Sequence, residues 1–313
     1  MGGCVSSWGP LDTRSRVGRC AGSGRAAPPR RSSRPPGSSP WAPPWPANRT
    51  ERPVASTPAG IARLLATPDR IALFLDYDGT LVPFQEDPSR ALPGPGLLPL
   101  LDRLAVPGRF EVAIVSGRSA EDLRRLLPGR CHLLALHGAL YVDPDGRALD
   151  RVDLDACRAA VREVAEACAR LVASIPGTRM EDKGAALALH TRGCERRDER
   201  RAVRRFLDAS RGAVPGGLLS ILRGSRVIEL KPARADKGSA VLWLAKRFGR
   251  DWFPVYLGDD RSDEDAFRAL QDRGTTIRVG PARRTSHARH RLADPRAVRE
   301  LLELMASTAG PVG

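Results

Sequence analysis

Short, largely apolar runs alternate with longer amphipathic segments in the first part of the chain. The runs Ile71–Leu75 and Phe110–Val115 have the length and composition of strands buried on both faces of a parallel sheet. The segments that follow them are predicted as two helices and one further strand, at 96–106, 119–127 and 133–136. This alternation predicts a Rossmann-like α/β fold with a doubly wound parallel sheet.

The pattern changes near residue 143, where a long amphipathic helix is predicted at 152–174. The positions assigned to its inner side are Val152, Ala156, Ala159, Val164, Ala167 and Leu171. Alternating strands and one helix follow, at 178–182, 185–190, 195–210 (the helix), 217–222 and 226–230. The earlier pattern then returns, with helices at 237–248, 263–271 and 295–306 and strands at 253–257 and 275–279. The sequence thus predicts a catalytic core at 60–142 and 232–306, interrupted by an α+β insertion at 143–231.

The first 55 residues are dominated by proline, arginine, serine and glycine. A segment with so few apolar side chains buries too little surface to offset the entropy lost on ordering. We therefore expect residues 1–55 to form a disordered tail. Because this tail holds nine arginines and only two acidic residues, it carries a large share of the net charge of +15.

Charge and hydropathy argue against two classes of partner. Outside the tail, basic and acidic side chains are mixed, and no block of like charge is dense enough to follow a phosphate backbone. No apolar run approaches the ~18 residues of a membrane span, and the N-terminus has no apolar leader. The six cysteines include no C-x-x-C pair and are expected to be free thiols. We expect a cytoplasmic monomer that binds neither nucleic acid nor membrane.

Polar residues follow four of the predicted strands. The four segments are Asp76–Thr80, Ser116–Arg118, His137–Gly138 and Gly258–Asp260. In open parallel sheets, ligands bind beyond the carboxyl ends of the strands. One polar strand end could be an ordinary loop, but four together indicate a site.

Asp76 and Asp78 lie two residues apart at one strand end, so both carboxylates can face the same side. Two acids this close repel each other, and a hard divalent cation with oxygen ligands relieves that repulsion. Asp259, at the end of a later strand, would complete the protein ligands of an octahedral Mg²⁺ site. Gly79 lets the chain turn sharply after the pair. A helix N-cap would explain one of these aspartates but not both.

These residues suit phosphoryl transfer through a covalent aspartyl phosphate. We predict that Asp76 attacks phosphorus, and that Asp78 protonates the leaving oxygen and then deprotonates the attacking water. The transferring phosphoryl group needs compensating charge, which Lys237 and the hydroxyl of Ser116 can supply. Lys237 opens a predicted helix, where backbone N–H groups also favour an anion.

Acidic residues continue beyond Asp259. A helix N-cap at Ser262 with acids in the first turn explains the last of them. It does not explain Asp260, which lies before the cap at the strand end. Asp263 is expected to orient Lys237 or a metal-bound water.

In order and spacing, these residues resemble the four signatures of the haloacid dehalogenase-like superfamily. The signatures are Asp76-Tyr77-Asp78-Gly79-Thr80-Leu81, Ser116, Lys237, and Asp259-Asp260 with Asp263. Within the superfamily, residues 68–305 resemble the trehalose-phosphate phosphatases. This closer similarity rests on Ser116–Ser119 with Asp122 and Leu123, on His137–Ala139, and on Gly258–Phe267. Family members usually have threonine where this chain has Ser262.

The resemblance implies a Mg²⁺-dependent hydrolase that converts trehalose 6-phosphate to trehalose and phosphate in trehalose biosynthesis. It also implies that the insertion is the larger, C2-type cap domain of the superfamily, which sets specificity and excludes water when it closes. The sugar contacts that it implies are Glu181, Lys183, Glu229, His190 and Arg192. Cross-strand salt bridges on a solvated face are the alternative explanation of the acidic and basic cap residues.

Two other functions stay open at this point. The chemistry could act on another phosphorylated sugar, such as sucrose phosphate or a glycosyl-glycerate phosphate. Alternatively, a non-catalytic protein could use the basic tail to bind nucleic acid or a protein partner. The second function is disfavoured because Asp76, Asp78, Lys237 and Asp259 are all present.

Overall fold

The computed structural model describes residues 54–105, 108–214, 216–281 and 285–308, which form two sheets. The strands are β1 (Val54–Ala55), β2 (Ile71–Leu75), β3 (Phe110–Val115), β4 (His132–Ala135), β5 (Leu140–Val142), β6 (Ala148–Asp150), β7 (Arg179–Asp182), β8 (Leu187–His190), β9 (Leu219–Arg223), β10 (Val227–Pro232), β11 (Phe253–Gly258), β12 (Thr275–Val279) and β13 (His290–Leu292). The larger sheet has the order β1-β13-β12-β11-β2-β3-β4-β5-β6, and the smaller has the order β7-β8-β10-β9.

Strand β2 lies between β11 and β3 and is parallel to both. Its side chains alternate between two cores: Leu73 and Leu75 pack on one face, and Ala72 and Phe74 pack on the other. A strand covered on both faces has to be apolar throughout. This double burial explains why the run in the sequence is continuous.

Helices cover both faces of the larger sheet. The helices are α1 (Pro58–Leu65), α2 (Leu97–Leu104), α3 (Ala120–Leu126), α4 (Leu154–Ala173), α5 (Arg196–Ala209), α6 (Lys237–Phe248), α7 (Glu264–Ala269) and α8 (Pro295–Thr308). Side chains of α1, α2, α3 and α8 join the core on the Leu73 face, and those of α6 and α7 join the core around Phe74. This arrangement confirms the predicted α/β class with a doubly wound parallel sheet.

Several element boundaries agree with the sequence. The predicted ranges 71–75, 110–115, 237–248 and 275–279 are those of β2, β3, α6 and β12. Helix α1, the hairpin β5–β6 and strand β13 were not predicted, because elements this short carry too little periodicity. Strand β1 pairs with β13, so the expected tail was wrong for Val54 and Ala55, and the core begins before residue 60. The rest of that tail, residues 1–53, lies outside the described residues.

The smaller sheet and two helices follow β6 in the chain. The strand pairs of the smaller sheet are antiparallel. Helices α4 and α5 pack with this sheet and form a separate hydrophobic core. We call β7–β10 with α4 and α5 the four-stranded layer. Since one sheet face is covered by helices, the other face is left to line a cleft, which is described below.

Helix α4 packs with a face that differs from the predicted one. Its buried side chains are Leu154, Cys157, Val161, Val164, Cys168 and Val172. Ala159 and Ala167, which were assigned to the inner side, are exposed. The other assigned positions are buried (Val164), partly buried (Val152, Ala156) or outside the described side chains (Leu171). The prediction was wrong because it gave weight to alanines, whereas two cysteines act as small hydrophobes in the inward stripe.

The described cysteines are buried and free, as predicted: Cys131, Cys157, Cys168 and Cys194. Cys4 and Cys20 lie outside the described residues. In the described part of the chain, no helix combines the length and the apolarity that a membrane crossing requires.

Candidate active site

Three neighbouring strands, β11, β2 and β3, end at the same edge of the larger sheet. Asp76 follows β2, Ser116 follows β3 and Asp259 follows β11. The backbone N–H of Asp76 donates to the carbonyl oxygen of Leu257 at 2.9 Å, so the pairing of β2 with β11 continues to the aspartate. The parallel sheet therefore brings three of the predicted site residues to one edge.

Asp76 is a buried carboxylate at this edge. The ammonium nitrogen of Lys237 lies 2.8 Å from its Oδ1, and the hydroxyl of Thr80 donates to its Oδ2 at 3.4 Å. Burial raises the pKa of Asp76 well above its usual range; Lys237 lowers that pKa, and the carboxylates of Asp263 and Asp259 raise it further. Asp76 is thus poorly solvated and is held by one cation.

Lys237 is the first residue of α6, whose N-cap is Asp236: the side chain of Asp236 accepts from the backbone N–H of Ser239 at 2.7 Å. The side chain of Lys237 is buried. Burial alone would lower the pKa of this ammonium, but the carboxylates of Asp263 and Asp76 outweigh burial and raise it. Lys237 therefore carries its positive charge inside the site.

Asp263 is completely buried, and its two oxygens accept four hydrogen bonds. Its Oδ1 lies 2.7 Å from Lys237 Nζ and 2.6 Å from the hydroxyl oxygen of Tyr256. Its Oδ2 accepts from the backbone N–H groups of Asp259 at 2.9 Å and Asp260 at 2.8 Å. Of the two partners expected for Asp263, the structure shows Lys237.

Carboxylate oxygens of Asp76, Asp259 and Asp263 lie within 4.8 Å of one another. Burial and the neighbouring Asp263 raise the pKa of Asp259 to about 7. The turn after Asp78 is tight: Gly79 has a φ of +83°, and an added Cβ there would lie 2.2 Å from Asp259 Oδ2. Closely spaced carboxylates, two buried and that of Asp259 partly buried, next to a glycine turn fit a hard divalent cation with oxygen ligands.

Asp78 is placed differently from the expected metal set of Asp76, Asp78 and Asp259. Its two carboxylate oxygens pair with the Nε and Nη2 of Arg118, each at 2.7 Å. Arg118 also lies over the ring of Tyr77, 5.1 Å from the ring centroid. The carboxylate of Asp78 is therefore oriented by a bidentate ion pair, and the described acidic cluster contains Asp263 in its place.

Ser116 follows β3 and His137 follows β4, two strands that lie on the side of β2 opposite to β11. The buried hydroxyl of Ser116 accepts from the backbone N–H of Arg118 at 3.2 Å. His137 has a left-handed backbone with φ of 57°. A Cβ added to Gly117 would lie 2.7 Å from the His137 ring, so glycine permits the imidazole to pack against this strand end.

A cleft of about 260 Å³ lies between this edge and the four-stranded layer. Predicted residues that line it are Asp76, Asp78, Ser116, Glu181, Lys183, His190, Glu229, Lys237, Asp259 and Asp260. The sequence therefore identified core and layer residues that share one cavity. Asp263 lies behind the cleft wall, and Arg192 does not line the cleft.

Glu229 links the core to the four-stranded layer. Its carboxylate lies 2.8 Å from Lys183 Nζ and 3.2 Å from His137 Nε2. Burial alone would raise the pKa of Glu229, but Lys183 and His137 outweigh it and hold that pKa well below its usual range. Burial lowers the pKa of His137 despite its contact with Glu229. These are buried, convergent groups, so the alternative of salt bridges on a solvated face is wrong for Lys183 and Glu229.

The other three predicted sugar contacts, Glu181, His190 and Arg192, differ in position. His190 Nε2 lies 2.7 Å from Glu181 Oε2, and both side chains line the cleft. Burial would raise the pKa of Glu181, but the hydrogen bond from His190 and the charge of Lys183 lower it. Arg192 instead pairs with Glu86 at 3.2 Å, outside the cleft lining.

Sequence reasoning missed three contacts of this site. Arg118 was noted only as part of a motif, and its pair with Asp78 joins positions 40 residues apart, so the sequence held no signal for it. The hydroxyl of Tyr256 inside a buried strand was a signal, because a buried Tyr O–H needs an acceptor. The contact of Glu86 with Arg192 gave no signal in the sequence.

The chain is similar to known phosphatases. The family model for trehalose-phosphatase matches residues 74–296. The bifunctional trehalose-6-phosphate synthase/phosphatase of Thermoproteus tenax is 38% identical, over 75% of this chain and 32% of that protein. This chain thus spans about a third of that relative's length. A trehalose 6-phosphate phosphatase of Zea mays is 32% identical, over 77% of this chain and 71% of that protein.

Solved structures agree with the sequence comparison. The crystal structure of a trehalose-6-phosphate phosphatase related protein has a TM-score of 0.68 and 30% identity, and the match covers 75% of this chain and 97% of that chain. Structural neighbours that include a haloacid dehalogenase-like hydrolase confirm the predicted fold class.

Proposed function

Because the chain belongs to the trehalose-phosphatase family, we propose that it hydrolyses trehalose 6-phosphate to trehalose and inorganic phosphate. The family makes it a hydrolase of a phosphoric monoester. The observation that carries the proposal is the meeting of Asp76, Lys237 and Asp259 at one end of a cleft whose other wall carries Glu181, Lys183 and Glu229. The first group suits a phosphate and the second suits sugar hydroxyls.

We propose that Asp76 and Asp259 hold a magnesium ion. The support is their close approach within a buried acidic cluster and the raised pKa values of both carboxyls, which a bound cation would reverse. Asp78 was expected as a third ligand, but the Arg118 pair leaves its carboxylate outside this cluster. The bound ion would supply positive charge to the phosphoryl oxygens.

Asp76 is the proposed nucleophile. Its Oδ1 contacts Lys237 at 2.8 Å, so the ammonium can guide a phosphate to the same carboxylate that attacks it. Attack of an Asp76 oxygen on phosphorus breaks the bond to the sugar oxygen and forms an aspartyl phosphate. Water then cleaves this acyl phosphate, releases phosphate and regenerates the carboxylate.

Asp78 is the proposed proton donor to the leaving sugar oxygen and the later acceptor of the water proton. Its side chain faces the cleft next to Asp76, and Arg118 fixes its orientation through both oxygens. The phosphate of a bound substrate would compete with this carboxylate for the guanidinium of Arg118. Asp78 would then be free to take up the proton that it donates to the leaving oxygen, so the bidentate pair with Arg118 belongs to the free enzyme.

Charge on the transferring group is offset by Lys237 and by the hydroxyl of Ser116. Both are buried, and both line the cleft beside Asp76. In a poorly hydrated site, such contacts stabilise developing charge more strongly than they would in water. Asp263 holds the ammonium at 2.7 Å, so Lys237 needs no reorganisation when substrate arrives.

We propose that the four-stranded layer is a cap that reads the sugar. It would form the active site together with the core, which was predicted at 60–142 and 232–306 and begins at β1. Glu181, Lys183, His190 and Glu229 offer donors and acceptors on the face that lines the cleft. The contact of Glu229 with His137 joins the layer to the core at 3.2 Å. Closure by this contact would exclude water from the aspartyl phosphate.

Phosphate release from a panel of substrates tests this function. The panel is trehalose 6-phosphate, sucrose 6-phosphate, glucosylglycerate phosphate and glucose 6-phosphate, each assayed with Mg²⁺ and with a chelator. We expect the highest kcat/KM for trehalose 6-phosphate, loss of turnover with the chelator, and recovery when Mg²⁺ is added back. Equal turnover across the panel would contradict the proposal that trehalose 6-phosphate is the substrate. Full activity with the chelator would contradict the proposed dependence on Mg²⁺.

A further inference from the structure

Phe84 is a large apolar side chain left open to the cleft. The residue is 58% exposed and lines the cavity between the core and the four-stranded layer. The other exposed large hydrophobic residues of the described chain are aliphatic: Leu64, Leu92 and Leu149. Burial of such a ring by a ligand would release the water that covers it and favour binding.

An arginine contacts this ring. The guanidinium of Arg192, in the loop between β8 and α5, lies 5.3 Å from the centroid of the Phe84 ring. Arg192 in turn pairs with Glu86 at 3.2 Å and donates to the carbonyl oxygen of Ser225 at 3.1 Å. A cation over a ring face is a favourable contact, and the two polar contacts keep that cation in position.

Exposure indicates where Phe84 lies along the cleft. Lys237 is 3% exposed and Asp76 is 5% exposed, whereas Phe84 is 58% exposed. The phosphate-binding groups are therefore at the closed end, and Phe84 is at the mouth. A ligand anchored by its phosphate at Lys237 would extend towards Phe84 with the part farthest from the phosphate.

The chemistry of the two walls fits a sugar ring at this mouth. The four-stranded layer presents the partly exposed polar groups of Glu181 and His190, whereas the loop after β2 presents Phe84 and Pro88. A pyranose has a rim of hydroxyl groups and an apolar face of C–H groups. Ligand sites generally combine apolar contact area with a few placed polar groups.

We propose that Phe84 packs against the sugar ring that does not carry the phosphate, and so selects phosphorylated disaccharides over phosphorylated monosaccharides. Arg192 is a positioning residue that fixes the ring of Phe84. This inference rests on the proposed function, because it requires a phosphate bound at Lys237. It explains why an aromatic ring stays exposed at the cleft mouth, and why Arg192 faces that ring.

Steady-state kinetics of Phe84→Ala and Phe84→Tyr test the proposal, with trehalose 6-phosphate and glucose 6-phosphate as substrates. Loss of the ring should raise KM for trehalose 6-phosphate roughly ten-fold, the size expected of an aromatic contact, and leave kcat within about two-fold. The kcat/KM for glucose 6-phosphate should not change. Phe84→Tyr should retain the wild-type preference. The matched control is Leu149→Ala, which changes an exposed apolar residue on β6. It should alter neither KM nor kcat for either substrate.

Inhibition by the product separates binding from chemistry. Trehalose should inhibit Phe84→Ala more weakly than wild type, while inhibition by inorganic phosphate should be the same. Arg192→Ala should move trehalose inhibition in the same direction by a smaller factor. Equal losses on both substrates, or an unchanged KM for trehalose 6-phosphate, would overturn the role of Phe84.

The same assay distinguishes this inference from the proposed function. If wild type prefers another phosphorylated disaccharide, the proposed substrate is wrong. The role of Phe84 is then still tested by the change that Phe84→Ala causes in the kcat/KM for that disaccharide relative to the kcat/KM for glucose 6-phosphate. If wild type prefers glucose 6-phosphate, the selection by Phe84 is refuted. Thermal unfolding of each variant shows whether a loss comes from misfolding, and retained preference in Phe84→Tyr supports the proposal independently of Phe84→Ala.

Discussion

The carboxylate of Asp263 lies 2.7 Å from the ammonium of Lys237, and the two side chains are 0% and 3% exposed. Asp263 also receives the backbone N–H groups of Asp259 and Asp260. One buried carboxylate therefore fixes both the cation proposed to meet the phosphate and the strand end that carries a proposed metal ligand. The position of the site depends on this internal pair as much as on the residues that face the cleft.

Asp263→Asn should weaken both stability and turnover. The amide keeps the shape of the carboxylate but leaves Lys237 with only Asp76, so the free energy of unfolding should fall by roughly 2–4 kcal/mol. We expect kcat to fall at least about ten-fold, because Lys237 is less well fixed. Urea unfolding and phosphate release measure the two effects. The control is Asp265→Asn, which removes a half-exposed ion pair with Arg268 at 2.8 Å. It should change the free energy of unfolding by no more than ~0.5 kcal/mol. Equal effects of the two variants would contradict the role of Asp263.

Asp76→Asn should abolish turnover and leave the fold intact. The amide cannot form the aspartyl phosphate, so we expect a loss of at least about 10³-fold in kcat. Lys237 keeps its pair with Asp263 at 2.7 Å, so the free energy of unfolding should change by no more than about 1 kcal/mol. Phosphate release and circular dichroism measure these outcomes. Asp155→Asn, which changes an exposed residue of α4, is the control. Turnover that survived in Asp76→Asn would show that another residue is the nucleophile.

Gly79→Ala should weaken binding of the divalent cation. The added methyl would lie 2.2 Å from Asp259 Oδ2, at a φ of +83° that alanine adopts with strain. Gly217→Ala is the control, because Gly217 has a similar φ of +68° but nothing within 4 Å of the added Cβ. The control should lose only about 1–2 kcal/mol of stability. Magnesium titration of activity, and of the thermal midpoint, should show a higher metal requirement in Gly79→Ala alone. A normal requirement would mean that Asp259 does not bind the ion.

Stability should fall as the pH falls, and Glu229 should carry part of this dependence. Its pKa is held below the usual range in the folded state, so its contribution is present above ~4.3 and is lost at lower pH. The pKa of His137 is also lowered, by burial, so its protonation below ~6.5 favours the unfolded chain. Glu229→Gln should be less stable at pH 7, because Lys183 loses its partner, and should show a flatter pH dependence below ~4.3. Urea unfolding between pH 3 and 8 measures this, with the exposed Glu166→Gln as control. A profile parallel to wild type would contradict the assignment to Glu229.

The sequence predicted the core strands and the cleft residues at their carboxyl ends for a common physical reason, whereas the cleft residues of the four-stranded layer came from the family resemblance. Strands such as β2 are buried on both faces, so their residues have to be apolar throughout. A continuous apolar run can be recognised in the sequence. The carboxyl ends of parallel strands meet at one edge, so Asp76, Ser116 and Asp259 could be grouped before any coordinates were known.

Several features of the structure were not determined by the sequence. They depend on the directions in which side chains point from loops and from helix faces. Asp78 and Arg118 are 40 residues apart, and only the folded loops bring the carboxylate to the guanidinium. Arg192 has a long side chain whose end lies over Phe84 instead of the cleft, and its position in the sequence does not fix that direction. The inner face of α4 was misread because cysteine can replace an aliphatic residue in a buried stripe.

Strand β2, which leads into the proposed nucleophile Asp76, pairs on one side with β11. Strand β11 follows β2 in the chain by more than half of the described length. Contacts between segments this distant form slowly, and during synthesis they wait for the later segment to leave the ribosome. A nascent chain that ends before Phe253 has Asp76 but lacks the neighbour whose Leu257 carbonyl accepts its backbone N–H. Hydrolytic competence should therefore arise late and in one step, when the segment from Phe253 onward emerges and docks.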